Sequence, residues 1–165
     1  MSLIVHILYL FYFSYGIIIY LSNKNLPKAV ERNTIMEEVL KFLQEAKTFY
    51  VATIDGNQPH VRPFGAVCGF EGKLYLITNN QKDVYKQMMA NPKVEISATI
   101  DDRWIRLCAE VVLDDRREAR KAMLDSMPSL RSMYNEDDGL AVVFYLKKAT
   151  ATFCSFTTEP VTCNF

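Results

Sequence analysis

The chain has 165 residues, 19 Lys and Arg against 19 Asp and Glu, and a composition that is half hydrophobic. That length supports one domain with a real core, and a formal charge of zero argues against a surface dedicated to nucleic acid. Four cysteines without a CxxC pair, and only the histidines His6 and His60, exclude a cysteine-based metal site and a histidine-rich one.

Leu3 to Leu21 contains no Lys, Arg, Asp or Glu and is close to the length of a bilayer span. No basic residue precedes it and no small-residue cleavage site follows, unlike a signal peptide. Lys24, Lys28 and Arg32 come after it, so insertion would leave the rest of the chain facing the cytoplasm. The competing expectation is an over-extended start, because Glu31-Arg32 can be encoded by a purine-rich GAA-AGG ahead of Met36, like a bacterial ribosome-binding site. The sequence is therefore read as a hydrophobic extension over 1–35, over-extended start or membrane anchor, followed by a domain over 36–165. Without the extension 16 cations face 18 anions, a net charge of −2. The expected location is cytoplasmic, or membrane-anchored with the domain facing the cytoplasm.

Met36, Val39, Leu40, Leu43 and Ala46 recur at helical spacing, and Thr34 with Glu37 has the pattern of a capping box. Thr48–Ile54 is β-rich and ends in the hairpin signal Asp55-Gly56. The chain returns through Gln58–Phe70, turns at Glu71-Gly72 and continues as an alternating strand to Thr78. A short helix follows, capped by Asn80, buried through Val84, Tyr85, Met88 and Met89, and stopped by Asn91-Pro92. Strands over 93–100 and 103–113 flank Asp101-Asp102. Residues 114–127 read as a helix with Ala119, Ala122 and Met123 on one side. Asp114-Asp115 and Asp137-Asp138 read as solvated carboxylates, and Arg116–Lys121 as a solvated helix face. Strands over 140–148 and 149–156 complete the order α-β-β-β-α-β-β-α-β-β. Links this short suit a mainly β (α+β) antiparallel barrel with flanking helices rather than a Rossmann fold. The cysteines read as reduced thiols, a Cys154–Cys163 bridge being the alternative.

"PHVRPFG", Pro59 to Gly65, is the exception within this β-region. Proline belongs on strand edges and starts, and the residue before it is held extended. Arg62 is thus projected from a straight backbone, and Pro63 leaves amides such as those of Phe64 and Gly65 without ladder partners. One hairpin later "ITNNQK" brings Thr78, Asn79, Asn80 and Lys82 to a helix start. Arg62 and Lys82 on adjacent strand ends suit one phosphate, the arginine as a planar fork and the lysine as a point charge. His60 lies on the face of Arg62 and is the one ring in the region able to shuttle protons near neutral pH. Tyr50, Phe64 and Tyr75 are candidate apolar walls.

"YVATIDGNQPHVRPFGAV" and "GKLYLITNNQKDVYKQMMANPKVEI" resemble the pyridoxamine 5′-phosphate oxidase-like family of FMN-binding split barrels, in particular its small single-domain, nitroimidazole-resistance-like members. The resemblance runs from about Met36 to Phe156. It implies a split β-barrel, a homodimer with flavin at the interface, and FMN bound through Arg62, Pro63, Phe64, Thr78, Asn79 and Lys82. Trp104 falls where the family brings a residue near the flavin. The family's arginine-lysine pair after the "TN" turn is here Gln81-Lys82, one cation fewer, and "TTEPVTCNF" lacks the tail of pyridoxamine phosphate oxidase proper. The implied activity is therefore hydride transfer from NAD(P)H through FMN to a small acceptor such as a nitro compound or quinone, without oxidation of pyridoxamine phosphate. His60 is the catalytic candidate. The alternative is a non-catalytic flavin or haem carrier or stress protein; a third reading is a membrane redox component anchored by Leu3–Leu21.

Overall fold

The computed structural model describes residues 28–165, so the apolar run Leu3–Leu21 lies outside the described residues. Helix α1 (Lys28–Ala46) buries Met36, Val39, Phe42 and Leu43. It continues upstream of Met36, which puts Thr34 inside the helix rather than at the capping position its spacing from Glu37 suggests. Among the described residues, no helix is long and apolar enough to cross a membrane.

Then come β1 (Phe49–Asp55), β2 (Gln58–Phe64), β3 (Val67–Phe70), β4 (Lys73–Asn79), α2 (Asp83–Ala90), β5 (Lys93–Ile100), β6 (Arg103–Asp114), α3 (Arg117–Ser126), a 3-10 turn over Pro128–Ser132, β7 (Ala141–Ser155) and β8 (Val161–Asn164). All pairings are antiparallel, in the order β2-β1-β5-β6-β7-β4-β3, with β8 added to β7. Glu71 and Gly72 are both left-handed (φ 49° and 68°), the geometry of the tight turn joining β3 to β4.

The shape follows from connectivity. β2 and β3 are the two ends of the seven-strand path, yet only Gly65 and Ala66 join them. Seven strands laid flat would hold their edges about 29 Å apart, while a two-residue link reaches at most about 11 Å. The sheet must curl until its edges meet. They meet without pairing, which makes this a split barrel.

Val51, Val67, Leu76, Ile96, Ile105 and Leu107 form the interior with α1. A second cluster seats α3, through Ala119, Met123 and Leu124, against Cys68, Tyr75 and Val143.

Several local expectations change. The stretch 58–70 breaks at Gly65-Ala66, where the chain passes from one sheet edge to the other. The expected strands 140–148 and 149–156 are one strand, β7, interrupted by a bulge. The register against β6 slips by one residue between Cys108 and Glu110, and Lys148 takes φ 53°. β8 lies in the tail that carries no sequence pattern. In α2 Lys82, not Asn80, is the capping residue, and Gln87 is buried while Met89 is half exposed. Asp114 is no solvated turn carboxylate: it ends β6, buried, accepting from the Tyr75 hydroxyl at 2.8 Å and from Arg116. None of the four cysteines is joined in a disulfide.

Candidate functional site

A cavity of about 400 Å3 opens at the seam between the sheet edges, within the range of small-molecule sites. Arg62, Pro63 and Phe64 at the end of β2 line it, with the Gly65-Ala66 link, Thr78 at the end of β4, and Lys82 and Val84 at the start of α2. Across from them stand Met127, Leu130, Met133 and Tyr134. Gly65 lies close to another backbone segment: a Cβ there would come within 3.3 Å of the Lys47 carbonyl oxygen, tight enough to press on it.

Arg62 and Lys82 therefore share one cavity, though not from neighbouring strands. β2 and β4 lie towards opposite ends of the sheet path, and the curl brings them together. The Arg62 side chain turns inward under β1. Its Nη1 donates to the Thr53 hydroxyl at 2.6 Å and to the carbonyl oxygens of Val51 and His60, each at 3.2 Å. Its Nη2 donates to Gln87 Oε1 at 2.7 Å. All four acceptors are neutral, and burial pushes the guanidinium below the usual arginine range. By contrast Arg106, Arg116, Arg117, Arg120 and Arg131 each pair with a carboxylate.

The Lys82 ammonium and the Thr78 hydroxyl have no partner among the described residues. Asn79 instead shapes the turn, its Oδ1 accepting from the Gln81 amide at 2.8 Å, and Asn80 donates to the Gly139 carbonyl oxygen. His60 shares the half-buried face of β2 with Arg62 and Phe64, as alternation requires, but does not line the cavity. Trp104 stands on β6, packed on Phe156 with ring centroids 5.0 Å apart, outside the cavity of its own chain. Of the aromatic candidates Phe64 alone lines the cavity. Tyr50 is half exposed on the outer sheet face, and Tyr75 is buried in the second cluster.

The wall from 127 to 134 carries no motif of its own. Three arginines, Arg131 within it and Arg117 and Arg120 on α3, tie it and α3 to the loop that follows at 136–137. Arg117 binds Asp137 at 2.8 Å, Arg120 donates to the Glu136 carbonyl oxygen at 2.9 Å, and Arg131 joins Asp125 to Glu136. The stretch 116–121, expected as a solvated helix face, instead supplies Arg116, Arg117 and Arg120 to ion pairs.

Residues 35–153 match the family described as pyridoxamine 5′-phosphate oxidase. The chain belongs to that family. A crystal structure of a NimC/NimA family protein from Clostridium acetobutylicum is 48% identical, with a TM-score of 0.81 over 83% of this chain and 96% of that one. This places the chain with the nitroimidazole-resistance-like oxidase relatives. General stress protein 26 from Bacillus anthracis (15% identity, TM-score 0.63, 79% of this chain and 98% of that one) shares the fold. So does a haem-binding protein from Mycobacterium smegmatis (14% identity, TM-score 0.61, 84% and 59%). No curated protein matches. Within the oxidase family fold, the cavity thus lies where the barrel is split.

Proposed function

We propose that the seam cavity binds FMN and that the protein is an FMN-dependent oxidoreductase passing a hydride from NAD(P)H to a small acceptor such as a nitro compound or quinone. One observation carries the reading. Arg62, Thr78 and Lys82 present donors that no carboxylate among the described residues takes up, around a cavity otherwise walled by Ile77, Leu130, Met133 and their neighbours. An anionic group on a flat, largely apolar body fits both halves of that description, and FMN has both. Membership of the oxidase family points the same way.

Bound there, FMN would supply the hydride chemistry. The chain's own residues bind and orient. Arg62 and Lys82 neutralise a phosphate, Thr78 adds a hydroxyl donor, and Pro63 and Phe64 border the seam. Leu130 and Met133 exclude water from the apolar side. His60 is assigned no step within one chain.

A second copy of the chain completes the proposal. Tyr50 and Val61 are 51% and 65% exposed on the outer face of β1 and β2, and Phe156, 83% exposed, adjoins Trp104. Apolar side chains presented like this suit an interface in which Trp104 approaches the partner's flavin. Four cysteines without a disulfide fit a reducing, cytoplasmic setting.

The test uses the full chain with added FMN. The reading requires a flavin spectrum that persists through gel filtration and is lost in Arg62→Ala/Lys82→Ala; a colourless wild-type protein refutes it. Anaerobic bleaching by NADH or NADPH separates the oxidoreductase from a flavin carrier that only holds the cofactor.

A further inference from the structure

The Arg62 guanidinium has five N–H donors, and the structure accounts for only some of them. Nη1 spends both of its hydrogens on Thr53, Val51 and His60. Nη2 spends one on Gln87. The Thr53 hydroxyl in turn donates to the same Gln87 Oε1 at 2.5 Å. Thr53 and Gln87, 4% and 6% exposed, therefore fill the end of the guanidinium formed by Nη1 and Nη2 with two neutral oxygens that are tied to each other. What remains is the other edge, Nε–H and the second Nη2–H, which point the same way and suit a bidentate oxyanion. Arg62 lines the cavity, and no acceptor within the described residues meets that edge.

The identity of residue 87 matters for charge. A glutamate there would reach the same guanidinium and cancel it, as Asp114 and Glu71 do for Arg116. A glutamine gives the acceptor oxygen and no countercharge. It is buried beside Val84 and Met88, where an apolar side chain would pack without needing partners, so its amide has a reason other than packing.

We propose that Thr53 and Gln87 are positioning residues that grip Arg62 by its Nη1/Nη2 end, keep its charge uncancelled and turn its Nε/Nη2 edge to the phosphate of the bound nucleotide. This rests on the FMN reading above for the ligand, but the grip itself is a property of the free protein. Both can be measured.

Two measurements separate them. On the full chain, FMN and riboflavin, which lacks the phosphate, are titrated against wild type, Gln87→Glu, Gln87→Met and Thr53→Val. Gln87→Glu is expected to weaken FMN by about tenfold or more, with Gln87→Met and Thr53→Val weakening it by about three- to tenfold. Riboflavin should stay within about twofold throughout, because only the charged end is disturbed. Equal losses for the two ligands would mean a merely structural role, and unchanged FMN affinity would mean none; either overturns the proposal.

The second measurement is side-chain 15N NMR of Arg62 in the free protein. Separate Nη1 and Nη2 signals in wild type, merging in Thr53→Val and Gln87→Met while the amide spectrum keeps its folded dispersion, report the grip directly. One averaged Nη signal in wild type overturns it whether or not FMN binds, and this arm does not depend on any variant folding. Wild-type protein that shows the separate signals but does not prefer FMN to riboflavin would instead sink the phosphate reading and with it the assigned purpose of the grip.

Discussion

Arg62 on the edge strand β2 and Gln87 on helix α2 meet at 2.7 Å, a cation held by an amide where most arginines of this chain are held by carboxylates. The pairing links the strand that borders the seam to the helix whose first residues border it from the other side. It also means that Arg62 ties elements of the fold together while lining the cavity.

Arg62→Lys is the substitution that exposes this double duty. A lysine has no planar fork, so it cannot hold Thr53 and Gln87 while facing the cavity. FMN affinity should fall by about tenfold, and urea unfolding should show a loss of about 1 kcal/mol, the scale of one buried hydrogen bond. Unchanged affinity would show that any cation suffices.

Acid stability should trace to Asp114. Its hydrogen bond with Arg116, helped by the Tyr75 hydroxyl, holds the carboxyl down at about 2. A depressed folded value stabilises above the unfolded value near 4, and that contribution fades as pH falls from there through about 2. Asp114→Asn should therefore lose stability at pH 7, by about 2 kcal/mol from linkage, and show a flatter acid limb. The check is the urea midpoint from pH 7 to pH 2. At the alkaline end, burial raises the Tyr75 phenol well above its ordinary value. Stability should fall above about pH 10, and Tyr75→Phe should blunt that fall.

The wall from 127 to 134 depends more on Arg120 than on Arg117. Arg120 is mostly buried and holds a backbone carbonyl of the following loop, whereas Arg117 is half exposed. Arg120→Met should cost about 1–2 kcal/mol and speed hydrogen exchange over 133–139. Arg117→Met should cost no more than about 0.5 kcal/mol, as exposed pairs do. Equal exchange in the two variants would show that the loop is held otherwise.

Lys148 occupies a left-handed conformation at the bulge of β7, with its exposed ammonium on half-buried Glu110. Glycine there should be neutral or stabilising by up to about 1 kcal/mol, because a side chain is disfavoured at that φ. Lys148→Val should be destabilising by about 1 kcal/mol or more, since β-branching adds to the strain. Thermal melts of both variants read the difference.

The elements that could be read from sequence are those whose signals are local. Alternation marked β4, the polar Asp101-Asp102 turn separated β5 from β6, Glu71-Gly72 marked its turn, and Arg62 with Lys82 marked residues that share one cavity. What escaped depends on distant partners. Gln87 falls outside the expected stripe of Val84, Tyr85, Met88 and Met89 and looks solvated until Thr53 and Arg62 are beside it, and Asp114 looks solvated until Tyr75 and Arg116 surround it. Pro63 was legible as an edge signal, but the passage of the chain between opposite edges at Gly65-Ala66 is a statement about topology. No window of residues contains it.

That passage also sets a dimension. Because Phe64 and Val67 are held on facing lips of the barrel by a tether of two residues, the width of the slot is written in the chain as a residue count. Each residue inserted at this point would let the lips part by up to about 3.5 Å, and a deletion would draw them together. The tether works as a caliper, and divergence of this barrel towards thicker or thinner guests has a simple route: a change in its length.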